Sequence, residues 1–175
     1  MVFQLNLEEK KSYRSIIRSG SFPPTTDKNF IFARLIAHIE EAFSVARKVN
    51  YLVGEMTIFL KKNNFLFQDK KIKLIPKTNY PFLIHPLIKE TFERIYKEKV
   101  KYRACGCVVG DFEEEGFEQG FLFDNLKKKE KIKKLYWAME KTKIDFGTVL
   151  YEKKGKKEII KDKKLRIPFI EVFST

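Results

Sequence analysis

The sequence predicts an α+β fold: a four-stranded antiparallel sheet with two helices on one face, ordered strand-helix-strand-strand-helix-strand and followed by a helical C-terminal tail. Two segments carry apolar residues at three- and four-residue spacing, the period of a helix face. Four others are short runs rich in β-branched and aromatic residues, bounded by prolines or polar pairs. A chain of 175 residues with 43% hydrophobic content can bury one ordinary core, so one main domain is expected.

Residues 12–22 read as the first strand, which Pro23-Pro24 ends because proline cannot continue a hydrogen-bonded ladder. Thr25, Thr26 and Asp27 then offer capping oxygens to a helix over residues 29–49, whose Phe32, Leu35, Ile36, Ile39, Phe43 and Ala46 share one face. Residues 52–60 and 65–75 are two strands joined at Lys61-Lys62-Asn63-Asn64, a hairpin closed by Pro76 and Pro81. The second helix, residues 83–98, turns Leu87, Ile88, Thr91, Phe92, Ile95 and Tyr96 inward, and residues 100–109 make the last strand.

Two helices on one side leave the other sheet face open. Beyond Phe112 the composition changes, which sets three units: residues 12–112, a linker at 113–125 beginning with the acids Glu113, Glu114 and Glu115, and a basic helical extension at 126–175. Within the extension residues 127–143 read as a helix with a stripe of Ile132, Leu135, Tyr136 and Met139, with Trp137 at its margin. That helix is expected to dock on its own protein rather than on a membrane or a partner. Residues 153–164 read as a solvated loop, and 166–170 as a short strand.

The excess of 36 Lys+Arg over 23 Asp+Glu gives a net charge of +13, which favours polyanions, nucleic acid before an anionic membrane surface. No apolar run of membrane-spanning length and no signal-peptide core is present, so a soluble intracellular protein is expected. Cys105 and Cys107, two residues apart on one strand, build no disulfide framework and read as buried small residues. With only His38 and His85 to help them, no metal site and no cofactor are expected; zinc alone wants about four ligands. The histidines, Met56 and Met139 are assigned to packing or surface. The acids at 111–115 read as a solvated linker, not as the close carboxylates that two-metal phosphoryl transfer requires.

Four stretches resemble, in order and spacing, the little-finger domain of Y-family translesion DNA polymerases. Ser15-Ile16-Ile17-Arg18-Ser19-Gly20-Ser21-Phe22 is similar to its first strand. Thr57-Ile58-Phe59-Leu60-Lys61 with Asn64-Phe65 is similar to its second strand and turn, and Lys71-Ile72-Lys73-Leu74-Ile75-Pro76 to its third. Val100-Lys101-Tyr102-Arg103-Ala104-Cys105-Gly106-Cys107-Val108-Val109 resembles its fourth, with the arginine and the central glycine in place. Behind them Gln119, Leu122 and Phe123 match the Gln-x-x-Leu-Phe sliding-clamp segment of such polymerases, with Phe121 inside it, and the helix leading to Phe146-Gly147 is similar to the family's tail. Gly20, Ala104 and Val108 stand where relatives often carry basic residues, a departure from the family's pattern.

The resemblance implies that the open sheet face lies against duplex DNA, mainly against phosphates, with Ser15, Arg18, Ser19, Ser21, Lys61, Lys71, Lys73 and Arg103 as contact residues and Arg18 sharing a face with some of the serines. It implies a sliding clamp as second partner, a monomer, no membrane, and a cytoplasmic, nucleoid-associated location. No catalytic residue is assigned, because nothing upstream of Ser12 supplies a palm with paired carboxylates. The function expected is therefore the noncatalytic DNA-gripping and clamp-docking portion of a translesion polymerase; a free-standing nucleic-acid-binding or regulatory module of the same fold is the alternative.

Overall fold

A computed structural model describes residues 14–114, 126–142, 144–146, 150–153, 156–159 and 165–167. Strand β1 (Ser15–Thr25) leads to helix α1 (Lys28–Lys48), followed by β2 (Tyr51–Lys62), β3 (Phe67–Thr78), a 3-10 turn at Pro81–Ile84, α2 (His85–Ile95) and β4 (Tyr102–Glu114). The four strands form one antiparallel sheet in the order β1-β4-β2-β3. The order of elements is the expected one.

Helix α1 starts where the polar cluster predicts. The Asp27 carboxylate accepts from the Phe30 amide at 3.0 Å, occupying one of the donors that the first turn leaves open. The inner face of α1 carries Ile31, Leu35, Ile39 and Phe43, that of α2 Ile88, Phe92 and Ile95, and both pack on Ile16, Met56, Ile58, Leu60, Cys105, Cys107 and Val109 in one cluster. A fully buried side chain of this size contributes roughly 1.5–3 kcal/mol, so this interface holds the helices to the sheet. Cys105 and Cys107 are buried there as expected; their thiols face the Ile31 and His38 carbonyls at 3.8 and 3.6 Å.

Three boundaries depart from the sequence reading. Strand β1 does not stop at Pro23-Pro24 but continues to Thr25, because it is an edge strand with a register shift between Ser21 and Thr25, where the missing amides cost nothing. Strand β3, the other edge, likewise runs through Pro76 past a shift opposite Val53–Glu55. Strand β4 continues through Asp111 to Glu114, so Glu113 and Glu114 pair with Leu52 and Tyr51 instead of opening a linker. Lys77 reaches Asp111 at 3.0 Å and Glu113 at 3.4 Å, which ties part of the acidic run to β3. The absence of a side chain at Gly54 makes room for Asp111 there.

Helix α3 (Leu126–Thr142) follows β4 along the chain, and two of its side chains pack on the domain. Ile132 and Tyr136 are buried, and the Tyr136 hydroxyl donates to Glu40 of α1 at 3.1 Å. Its ring lies 5.2 Å from that of Tyr80 and 4.4 Å from the Arg47 guanidinium. Trp137, by contrast, is 65% exposed and off the stripe. Beyond α3, β5 (Ile144–Phe146) pairs in parallel with β8 (Leu165–Ile167), and β6 (Leu150–Lys153) pairs antiparallel with β7 (Lys156–Ile159). Lysine-rich residues 156–159, read as loop from composition, are therefore strand. The described residues contain no helix long and apolar enough to cross a membrane.

Candidate nucleic-acid interface

Side chains alternate across a sheet, so the register fixes which residues share the uncovered face. Four rows cross it from β1 to β3. The first is Ser15, Gly110, Glu55 and Lys73; the second Ile17, Val108, Thr57 and Lys71. The third is Ser19, Gly106, Phe59 and Asp69, and the fourth Ser21, Ala104, Lys61 and Phe67. Along β4, next to the middle of this face, stand only Ala104, Gly106, Val108 and Gly110. These small residues separate the serines of β1 from the long side chains of β2 and β3, and the Phe59 ring lies against Gly106. At Gly106 the backbone approaches so closely that an added Cβ would lie 2.5 Å from both the Arg18 carbonyl and Ser19 Cβ.

This geometry brings together six of the eight residues read from the sequence as DNA contacts: Ser15, Ser19, Ser21, Lys61, Lys71 and Lys73. Arg18 is not among them. It pairs with buried Cys107, so its side chain leaves the strand on the helix side and donates to the Ile17 carbonyl at 2.8 Å. The serines sit at odd positions and Arg18 at an even one; the alternation of a strand separates them. Arg103 is re-aimed for another reason. The β2–β4 register shifts between Lys61, opposite Ala104, and Lys62, opposite Tyr102, which leaves Arg103 as the extra residue of a bulge. Its guanidinium stacks 4.5 Å from the centre of the Phe65 ring.

The face is not uniformly basic. Lys71 is held by Glu55 at 2.6 Å, and Asp69 stands in the third row. An anion reaching Lys71 must therefore compete with a carboxylate, whereas Lys73 is exposed at the edge strand. The sequence reading missed Phe59 and Phe67. Phe67 lies beside Lys61, whose ammonium is 5.1 Å from the Phe65 ring centre and 5.1 Å from that of Phe67. The period of two through Thr57, Phe59 and Lys61 was the signal that could have placed Phe59 on this face.

Burial pushes the Cys105 thiol up to about 12 and raises Cys107 further, so neither offers a thiolate near neutral pH. Among the described residues no group of three or more His, Cys, Asp or Glu side chains is arranged to hold a metal ion. Gln119, Phe121, Leu122 and Phe123 lie outside the described residues.

No curated protein matches the chain. Among solved structures, an insertion ternary complex of Dbh DNA polymerase is 21% identical over 55% of this chain and 28% of that one, with a TM-score of 0.43. DinB from Sulfolobus solfataricus is 19% identical over 55% of this chain and 28% of that one, with a TM-score of 0.45. A complex of a beta-clamp processivity factor with the little finger domain of PolIV is 16% identical over 62% of this chain and 97% of that one, with a TM-score of 0.46. The chain thus spans 28% of the length of the first polymerases it matches. Residues 13–122 match the impB/mucB/samB family C-terminal domain, which covers the sheet, both of its helices and the segment behind β4: the chain belongs to that family, and the resemblance to a Y-family little finger read from its strands holds.

Proposed function

We propose that this chain is the noncatalytic, duplex-gripping portion of a translesion DNA polymerase, that it holds DNA through phosphates on the open sheet face, and that Gln119, Phe121, Leu122 and Phe123 dock it on a sliding clamp. Nucleotidyl transfer is assigned to a catalytic part outside this chain. The observation that carries the reading is the uncovered face: a strand of Ala104, Gly106, Val108 and Gly110 flanked by Ser15, Ser19 and Ser21 on one side and Lys61, Lys71 and Lys73 on the other. Hydroxyls and ammonium groups on either side of a strand of small residues suit a phosphate backbone, and such contacts fix position without reading bases. The net charge of +13 supports the same partner.

The salt dependence of duplex binding tests this. Affinity should be nearly independent of sequence, and the double variant Lys71→Ala with Lys73→Ala should reduce the slope of log affinity against log salt by about one to two units. Because Glu55 competes for Lys71, Glu55→Gln should tighten binding. Unchanged affinity and slope in the lysine double variant would move the DNA site off this face.

A further inference from the structure

The hairpin joining β2 to β3 exposes more apolar surface than a turn needs. Phe65 is 60% exposed, Leu66 59% and Phe67 57%, three consecutive large side chains. The turn itself is well made, with the Lys62 amide bonded to the Leu66 carbonyl at 2.9 Å and the Phe65 amide to the Lys62 carbonyl at 3.0 Å. Yet Phe65 stands at φ 67°, where a bulky side chain is unfavourable and glycine or asparagine would serve. Neither turn geometry nor core packing accounts for an aromatic there. The rings also carry cations. Arg103 lies over Phe65, Lys61 lies between Phe65 and Phe67, and Phe59 meets Phe67 edge-on with centroids 5.9 Å apart.

This corner is continuous with the proposed phosphate surface, because Phe67 and Lys61 end its fourth row and Phe59 stands in the third. Aromatic faces next to lysine and arginine form a stacking platform with phosphate partners alongside, the combination that binds single strands. A base inside a duplex has both faces covered by its neighbours, whereas an unpaired one can leave its strand and stack on a ring.

We propose that Phe59, Phe65 and Phe67, with Lys61 and Arg103, stack the unpaired bases of single-stranded DNA that runs off the end of the gripped duplex. The corner would make the domain prefer a junction between duplex and single strand over plain duplex. This rests on the DNA-binding reading above.

The test compares a labelled blunt duplex with the same duplex carrying a short single-stranded tail, using the full chain and fluorescence anisotropy. The tailed DNA should bind about tenfold tighter, the effect of one stacked base. The double variant Phe65→Asn with Phe67→Thr should erase that difference while keeping the salt slope on blunt duplex, which the lysines set. Asparagine tolerates positive φ and threonine suits a strand, so the variant should fold. Lys71→Ala with Lys73→Ala should weaken both DNAs and keep the preference. Equal affinity of the unaltered chain for both DNAs, or a preference that survives in the phenylalanine double variant, overturns the stacking corner while leaving duplex binding standing. No binding to either DNA overturns the DNA-binding reading and this proposal with it.

Discussion

Gly106 and Gly110 lie on the same strand and the same face, yet alanine should act on them in opposite directions. At Gly106 the added Cβ would sit 2.5 Å from the Arg18 carbonyl, 2.5 Å from Ser19 Cβ and 2.7 Å from Phe59 Cζ. The Phe59 ring can swing away, but the carbonyl belongs to the backbone of β1, so relief requires the β1–β4 pair to spread. Forcing a methyl group into a packed site costs about 1–3 kcal/mol. With roughly 0.5 kcal/mol or more regained from the lower entropy of an unfolded alanine chain, a net loss of about 1–2 kcal/mol is expected. For a domain of this size that lowers the melting temperature by roughly 5–15 °C. At Gly110 the nearest atom is the Arg14 carbonyl at 3.4 Å, an ordinary contact. Gly110→Ala should therefore be neutral or stabilise by up to about 1 kcal/mol. Urea unfolding followed by circular dichroism separates the two. Equal midpoints for the variants would refute the argument that close approach of β1, rather than strand propensity, dictates glycine at 106.

Stability should also fall in alkali. Burial holds the Cys105 proton to about 12 against an ordinary 9.0, so the contribution is complete below pH 9 and is lost as pH rises toward 12, amounting to about 4 kcal/mol. Burial also raises Cys107, Tyr102 and Tyr136, which act in the same direction; a urea midpoint that holds steady from pH 9 to 11 would contradict this, and Cys105→Ala should flatten the decline. Tyr136→Phe removes the hydroxyl that donates to buried Glu40 and should destabilise the docked α3 by about 1–3 kcal/mol, read from thermal melts against the unaltered chain. Leu122→Ala with Phe123→Ala should abolish clamp binding in a surface-immobilised assay and leave the melting temperature and clamp-free DNA binding unchanged. A drop in melting temperature would place these residues in the core.

The parts of the fold legible in the sequence were those governed by local period. Phe43 and Leu35, Ile88 and Phe92 declare their helices through spacing, and Asp27 declares a start through its capping oxygen. What was not legible depends on neighbours that are distant in sequence. Pro23 and Pro76 could be strand residues only because β1 and β3 turn out to be edges. Glu113 and Glu114 belong to a strand because Leu52 and Tyr51, sixty residues earlier, need partners. Arg18 is the instructive miss, since the alternation of Ile16, Arg18, Gly20 and Phe22 already opposed it to the serines. Ile16 and Phe22, both buried, show which of those two faces is the inner one. Arg103 required knowledge of a bulge that no single strand reveals.

The placement of α3 bears on how two macromolecules could be held together. Tyr136 seats the helix against Glu40 and Arg47 of α1 and against Tyr80, on the layer opposite the uncovered sheet face. Lys131, Lys133 and Lys134 of α3 therefore do not extend the serine and lysine rows; any pull they exert on a polyanion comes from the other side of the domain. The segment with Gln119, Leu122 and Phe123 joins the end of β4, paired with Tyr51, to the start of this docked helix. The aromatic hairpin lies at the other end of β2. On the reading proposed above, the clamp and the DNA corner are bound by different segments of the chain, so neither partner needs to displace the other. On that reading, two sites carried by one chain act as a tether, and the second contact forms at a high effective concentration without any new interface. Undocking α3 should weaken that advantage while sparing each separate affinity. Tyr136→Phe would accordingly lower clamp-assisted DNA binding more than it lowers binding to clamp or DNA alone, and equal losses in all three measurements would show that the helix contributes only stability.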